Sequence, residues 1–156
     1  AKNLNYAKKL SYLFKQKKIT KYYIAFCEGK PKNNHSQVKL EIKNKKLKIE
    51  NTLTNYKVVN TNKSISSILF NPLTGKTHQL RIVSKHLGCP IVGDNKYNIH
   101  SKYKKESLML HAFALKFTID TKQYEYISKL PDVFLKFIKK NNLKINRDLK
   151  KYLNIF

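Results

Sequence analysis

The segment Asn71–Arg81, with the sequence NPLTGKTHQLR, contains side chains that could bind phosphate, transfer a proton or pair with an anion. Its Gly75–Thr77 part has the ending of a nucleotide-binding P-loop, G-x-x-x-x-G-K-[ST], which wraps backbone amides around phosphates. Phe70 stands where the first glycine is needed, and Pro72 removes one backbone N–H donor. The spacing therefore argues against an ATP or GTP site.

Arg81 is the most informative charged residue of this segment. The chain has only one other arginine, Arg147, among 33 basic residues, so a bias of the genome towards lysine codons does not explain Arg81. Its planar guanidinium can pair with a carboxylate or phosphate in a way that lysine cannot, although an ordinary surface arginine remains the alternative. His78 lies three residues earlier and can share a helix face with Arg81. It is either a general base or, as we favour, a helix-start histidine that bonds nearby backbone groups.

Three further residues stand out, and a structural role explains two of them. His111, inside LMLHAFAL, is predicted to be a core histidine with its hydrogen bonds satisfied. Asp94 follows Gly93, so a side-chain turn or cap explains it without a chemical role. Tyr23 lies in an apolar strand, where it either packs in the core or offers a ring on which a nucleobase stacks.

The composition points to a polyanionic partner. The chain of 156 residues has a formal net charge of +24, which favours nucleic acid first and an anionic membrane surface second. Lysine enrichment through codon bias on a generally basic surface is the alternative. Two cysteines, Cys27 and Cys89, are too few for a disulfide framework and fit a reducing compartment. We therefore predict a cytoplasmic protein, or one in an organelle matrix or associated with ribosomes.

Hydrophobic periodicity predicts one α+β domain over residues 1–156, with a mixed or antiparallel sheet and flanking helices. Helices are predicted at 3–17, at 77–87 with Gly88 as its cap, from Pro131, and in a basic segment that closes the chain. Strands are predicted at 21–29, 38–42, 46–50, 55–60, 64–70, 89–94, 107–118 and 122–128.

The segment from Asn71 to Tyr97, together with LMLHAFALKF, resembles the RluA-type pseudouridine synthases. Their pattern is P-x-T-G-R-x-H-Q-[IL]-R, then H-x-x-x-x-G-x-P-[IL]-x-G-D-x-x-Y, then L-H-A-x-x-L. The matching residues here are Pro72, Thr74, Gly75, His78, Gln79, Leu80, Arg81, Gly88, Pro90, Ile91, Gly93, Asp94, Tyr97, Leu110, His111, Ala112 and Leu115. The stretch ITKYYIAFCEG also resembles the family's K-x-Y-x-A-x-V-x-G strand and places Tyr23 at its tyrosine.

The resemblance implies an enzyme that isomerises uridine to pseudouridine in structured RNA, most often large-subunit ribosomal RNA, without a metal or cofactor. Tyr23 would stack on the flipped uracil, and Arg81 would form an ion pair with a catalytic aspartate. The resemblance also implies a group of RNA-binding residues, namely Lys21, Lys76, Thr77, His78, Gln79 and Lys85. Lys76 replaces the usual arginine, and Ser107 stands where an arginine often precedes the last motif.

The largest departure concerns the aspartate itself. The family's H-R-L-D-x-x-[TS]-G segment precedes the part of the family that this chain resembles, and residues 1–156 do not contain it. We therefore expect a C-terminal portion of the catalytic domain that is inactive alone. It would be a fragment, one half of a split enzyme, or a degenerate relative.

Without this segment the chain should expose a sheet edge beside Tyr23 and apolar surface. We therefore expect either poor solubility of the chain alone or a bound polypeptide partner, which could carry the aspartate. The competing function is a non-catalytic, ribosome-associated RNA-binding protein, which the charge fits equally well.

Overall fold

The computed structural model describes residues 3–44, 46–62, 64–153 and 155–156, and it confirms an α+β fold. The helices are α1 (Leu4–Lys15), α2 (Gln79–His86) and α3 (Asp132–Lys140), followed by a 3-10 helix at Leu149–Tyr152. The strands are β1 (Thr20–Glu28), β2 (His35–Lys43), β3 (Ile49–Thr61), β4 (Ile65–Pro72), β5 (Leu110–Ile119) and β6 (Lys122–Ile127).

The strands form one six-stranded sheet in the order β2-β3-β4-β1-β5-β6, with antiparallel neighbours throughout. Strand β1 is central, and Tyr23 lies opposite Phe70 of β4 on one side and Ala112 of β5 on the other. The prediction of an open sheet edge beside Tyr23 is therefore wrong, because both flanks of β1 are already paired. The edges of the sheet are β2 and β6.

The helices cover opposite faces of this sheet. Phe26 of β1 packs against Phe134 and Phe137 of α3, with ring centroids 5.1 and 5.5 Å apart. Because side chains alternate along a strand, Tyr23 points to the other face, where α2 buries Leu80 and Val83. The aromatic core thus supports β1 from one side and leaves Tyr23 facing α2.

Three predicted elements differ from the structure. Residues 46–50 and 55–60 are not separate strands, since β3 runs unbroken from Ile49 to Thr61. Its polar middle fits a strand because Thr52 is buried and its hydroxyl donates to the Leu40 carbonyl at 2.9 Å. Residues 89–94 form only a bridge between Ile91 and Cys27.

The helix predicted to close the chain is much shorter in the structure. Asn142 adopts a left-handed conformation with φ 50° just after α3. Asparagine tolerates this conformation, which stops a helix. The Asn146 side chain then accepts a hydrogen bond from the Asp148 backbone N–H at 3.0 Å, so a turn replaces helical bonding there. Only the 3-10 helix Leu149–Tyr152 remains.

Helix α1 forms as its periodicity predicts and is capped by Asn3, but none of its residues is buried. Leu4, Tyr12 and Phe14 are 70%, 58% and 53% exposed. The expected apolar surface is therefore present, whereas the polypeptide partner that would cover it stays a prediction. No helix among the described residues has the length and apolar character needed to cross a membrane.

Candidate nucleic-acid site

A cavity of about 320 Å³ opens on the α2 face of the sheet, between β1, the turn after β4 and the start of α2. Its lining consists of Lys21, Tyr23, Pro72, Thr74, Gly75, Lys76, His78, Gln79, Leu80, Arg81, Leu108 and Leu110. The structure thus brings most of the predicted site residues together. Thr77 and Lys85 are the two that lie outside this lining, and both are exposed.

Tyr23 is half-buried and lies between two cavities. It lines the first cavity with Arg81, and it lines a neighbouring cavity of about 400 Å³ with Phe14 and Tyr126. Burial raises the pKa of the Tyr23 phenol, so the ring is neutral at physiological pH. A neutral aromatic ring at the wall of an open cavity is a surface on which a nucleobase can stack.

Arg81 forms a bidentate ion pair with Asp94, which the sequence did not predict. Arg81 Nε donates to Asp94 Oδ2 at 2.8 Å, and Arg81 Nη2 donates to Asp94 Oδ1 at 2.6 Å. The Asp94 side chain is fully buried, whereas that of Arg81 is 18% exposed. Nη1 of Arg81 makes no hydrogen bond to any other residue that the structure describes. One edge of the guanidinium is therefore fixed and the other is available to the cavity.

The electrostatics of this pair favour two charged groups. Burial alone would raise the pKa of Asp94, but hydrogen bonds from Arg81 and from the backbone N–H groups of Tyr97 and Lys96 outweigh it, so the pKa is lowered. The hydrogen bond to Asp94 in turn raises the pKa of Arg81. The predicted side-chain turn at Asp94 is present, since its Oδ1 accepts from Lys96 N and Tyr97 N at 3.0 and 2.9 Å.

Tyr97 and His78 hold the pair from a second side. The Arg81 guanidinium carbon lies 5.0 Å from the centroid of the Tyr97 ring, in cation–π range. The Tyr97 hydroxyl lies 3.1 Å from His78 Nδ1. His78 does begin α2 as predicted, with φ 56°, but this contact joins it to a side chain rather than to local backbone. Tyr97 belongs to the G-D-x-x-Y match, but nothing in the sequence indicated its contact with His78.

Gln79 differs from its predicted role as an RNA ligand. Only 4% of the residue is exposed. Its carbonyl oxygen accepts from the Thr74 hydroxyl at 2.9 Å and from the Lys76 backbone N–H at 3.0 Å. Its amide nitrogen donates to the Leu53 carbonyl at 3.2 Å and to the Thr54 hydroxyl at 2.9 Å. Gln79 therefore ties the turn after β4 to β3 and shapes the cavity from behind.

Replacing Gln79 by alanine is expected to lower the free energy of unfolding by about 3 kcal/mol, because several buried partners lose a hydrogen bond at once. Chemical denaturation of the purified protein measures this change. The exposed Gln123 is the control, and Gln123→Ala should change stability by less than about 0.5 kcal/mol. Equal losses for the two variants would show that the Gln79 bonds do not stabilise the turn.

His111 lies away from the cavity and packs on Phe134 of α3, with ring centroids 5.8 Å apart. Burial lowers the pKa of the imidazole. Its Nε2 is buried without a hydrogen-bond partner among the described residues, so the prediction of a fully satisfied histidine is wrong for that atom. Within the described part of the chain, no cluster of three or more His, Cys, Asp or Glu residues could hold a metal ion.

The fold and the cavity together define an α+β domain with a basic, aromatic-lined site. The family described as RNA pseudouridylate synthase matches residues 1–86 of the chain. A relative named ribosomal large subunit pseudouridine synthase C, from Rickettsia prowazekii, is 37% identical over 157 residues, covering 88% of this chain and 50% of the relative. An uncharacterised RNA pseudouridine synthase of Zymomonas mobilis is 33% identical over 151 residues, covering 86% and 67%. The chain belongs to the RNA pseudouridylate synthase family.

Further comparisons agree with this assignment. Ribosomal large subunit pseudouridine synthase D of Borreliella burgdorferi is 30% identical over 152 residues, covering 88% of this chain and 46% of the relative. The solved structure of human RNA pseudouridylate synthase domain containing 4 has the same fold, with a TM-score of 0.81, 23% identity, and coverage of 92% and 70%. The chain spans 46% and 50% of the length of the Borreliella and Rickettsia relatives.

Proposed function

We propose that this chain binds RNA and supplies the uridine-binding cavity of a pseudouridine synthase. The observation that carries the proposal is the cavity that combines the Tyr23 ring with the open edge of the clamped Arg81 guanidinium. A cavity of about 320 Å³ is in the size range of small-ligand sites. The target uridine must leave its stack to enter it, and its uracil would stack on Tyr23.

Arg81 would meet the nucleophilic aspartate with its free edge only. Because Nε and one N–H of Nη2 are bound to Asp94, a second carboxylate can approach the edge formed by Nη1 and the remaining N–H of Nη2. Residues 1–156 lack the family's aspartate motif, so we propose that this carboxylate comes from other residues of the protein or from another chain. Residues 1–156 alone would then bind RNA without isomerising uridine.

Large-subunit ribosomal RNA is the proposed substrate. Two relatives are named for pseudouridine synthesis in the ribosomal large subunit. The net charge of +24 supports binding to a folded polyanion, where lysines contact phosphates without reading sequence. Cytoplasm, or the compartment that holds the ribosomes, is the proposed location.

Pseudouridine formation in ribosomal RNA from a strain lacking the gene tests this function. The full-length protein should restore a pseudouridine that is detected by chemical modification and primer extension. The second candidate, a non-catalytic RNA-binding protein, is favoured by the charge alone and predicts tight, salt-dependent binding with no new pseudouridine. No restored pseudouridine at any uridine would contradict the enzymatic proposal.

Tyr23→Ala is expected to lower kcat/KM for uridine modification about a hundredfold, because it removes the surface on which the flipped base stacks, worth about 1–3 kcal/mol per base. Tyr23→Phe keeps the ring and should retain most of the affinity for RNA. Tyr12→Ala removes a tyrosine that is 58% exposed on α1 and serves as the control. Equal activity of Tyr23→Ala and Tyr12→Ala would exclude a stacking role for Tyr23.

A further inference from the structure

Lys21 lies two residues before Tyr23 on β1 and therefore points to the same face of the sheet. It lines both the cavity that holds Arg81 and the neighbouring cavity that reaches Phe14. Its ammonium lies 3.6 Å from the position that a Cβ on Gly75 would occupy, so this group lies next to the turn after β4. The ammonium is thus placed where Tyr23 and the turn after β4 meet.

The charge of Lys21 has no counter-ion among the described residues. The lysines Lys76 and Lys116, which are also half-buried, form ion pairs with Glu50 at 2.8 Å and Glu125 at 2.9 Å. Lys21 has no such pair, and burial followed by repulsion from Lys17 lowers its pKa. A partly desolvated ammonium without a carboxylate is costly in the free protein, and binding of an anion relieves that cost.

We propose that Lys21 is a phosphate-binding residue of this cavity, where its ammonium pairs with the phosphate attached to the uridine whose base lies on Tyr23. This inference rests on the proposed function, since it names the part of the RNA that one residue of the same site contacts. The lysine ammonium is a compact positive charge that can donate hydrogen bonds to a phosphate from several directions. Lys17 adds a second positive charge nearby, which suits a backbone that continues beyond the cavity.

A carboxylate is the competing ligand for Lys21. The geometry favours a phosphate because Arg81, and not Lys21, offers the planar group suited to a carboxylate, and Asp94 already orients it. Lys21 lies instead against the backbone of the turn at Gly75, beside the entrance between the two cavities.

The binding experiment compares uridine with uridine 5′-monophosphate and uridine 3′-monophosphate on the full-length protein. One of the two phosphates should raise the affinity about tenfold in the wild type, as expected for a hydrogen bond between charged groups. Lys21→Met should abolish this gain, while Lys21→Arg should keep most of it. Lys32→Met is the control, since it removes the same charge from an exposed position outside both cavities and should keep the gain.

Kinetics on the modified RNA provide the second measurement. Lys21→Met should raise KM about tenfold with kcat within about twofold of the wild type. A phosphate gain that persists in Lys21→Met would overturn the proposal, as would a loss of kcat with KM unchanged, which would assign Lys21 to the reacting carboxylate. If the wild type binds the nucleotides with the predicted dependence on Lys21 but forms no pseudouridine, the proposed enzymatic function fails and the phosphate site stands.

Discussion

Arg81→Lys should reduce kcat for pseudouridine formation by about 10²–10³-fold, the cost of removing one preorganised donor from an active site. Two atoms of the guanidinium hold Asp94, and the third nitrogen is available to the cavity. A lysine ammonium can pair with Asp94 but cannot hold it at two atoms while directing another N–H at a fixed angle into the cavity. The charge is kept, so the loss would come from geometry.

The measurement is single-turnover modification of ribosomal RNA by the full-length protein, with stability followed by thermal unfolding. Because the lysine still compensates the buried Asp94 carboxylate, the free energy of unfolding should fall by only about 1–2 kcal/mol. Arg147→Lys, at the only other arginine and in an exposed position, is the matched control and should leave both quantities unchanged. Wild-type activity in Arg81→Lys would remove Arg81 from the proposed active site.

The pair of Arg81 and Asp94 also shows where sequence reasoning stops. The importance of Arg81 was predictable because it departs from the lysine bias and lies in a specific motif. Its partner was not predictable, since Asp94 lies 13 residues further along the chain. A local side-chain turn was already a sufficient reason for an aspartate at that position. Because this turn packs against α2, the Asp94 carboxylate both closes the turn and binds Arg81.

The fold shows a similar division. Alternation of apolar and polar residues in the sequence predicted β5, and the adjacent segment was predicted to pair with it, as β6 does. The polar stretch in β3 was interpreted as a break, yet the strand continues because its neighbours supply hydrogen bonds to Thr52 and Thr54. Gln79 was interpreted as an RNA ligand because it is a polar side chain in the motif. The sequence does not reveal that its hydrogen-bond partners lie inside the protein.

The backbone at Gly93 fixes the position of Asp94. Gly93 has φ +73°, a conformation that other residues rarely adopt. A Cβ at this position would lie 2.6 Å from the Glu106 carbonyl oxygen and closer still to the backbone carbonyl of Ser107. The chain before β5 therefore passes directly over Gly93, and a side chain there would displace one segment or the other.

Gly93→Ala should lower the free energy of unfolding by about 4 kcal/mol, from the strained φ and the overlap with backbone together. Gly88→Ala is the control, because Gly88 has the same φ of +73° but nothing lies within 4 Å of an added Cβ. It should cost only about 1 kcal/mol. The difference should appear as a fall in melting temperature of about 10 °C for Gly93→Ala relative to Gly88→Ala.

The same comparison tests whether Asp94 positions Arg81. If Gly93→Ala remains folded at low temperature, its turn should be displaced, and Arg81 should lose its fixed orientation together with Asp94. Activity of Gly93→Ala should then fall well below that of Gly88→Ala even where both are folded. Equal melting temperatures for the two variants would show that residues 106–107 can move away from an added Cβ at little cost in free energy. If the two variants were equally active although Gly93→Ala is less stable, the turn at Gly93 would not determine the orientation of Arg81.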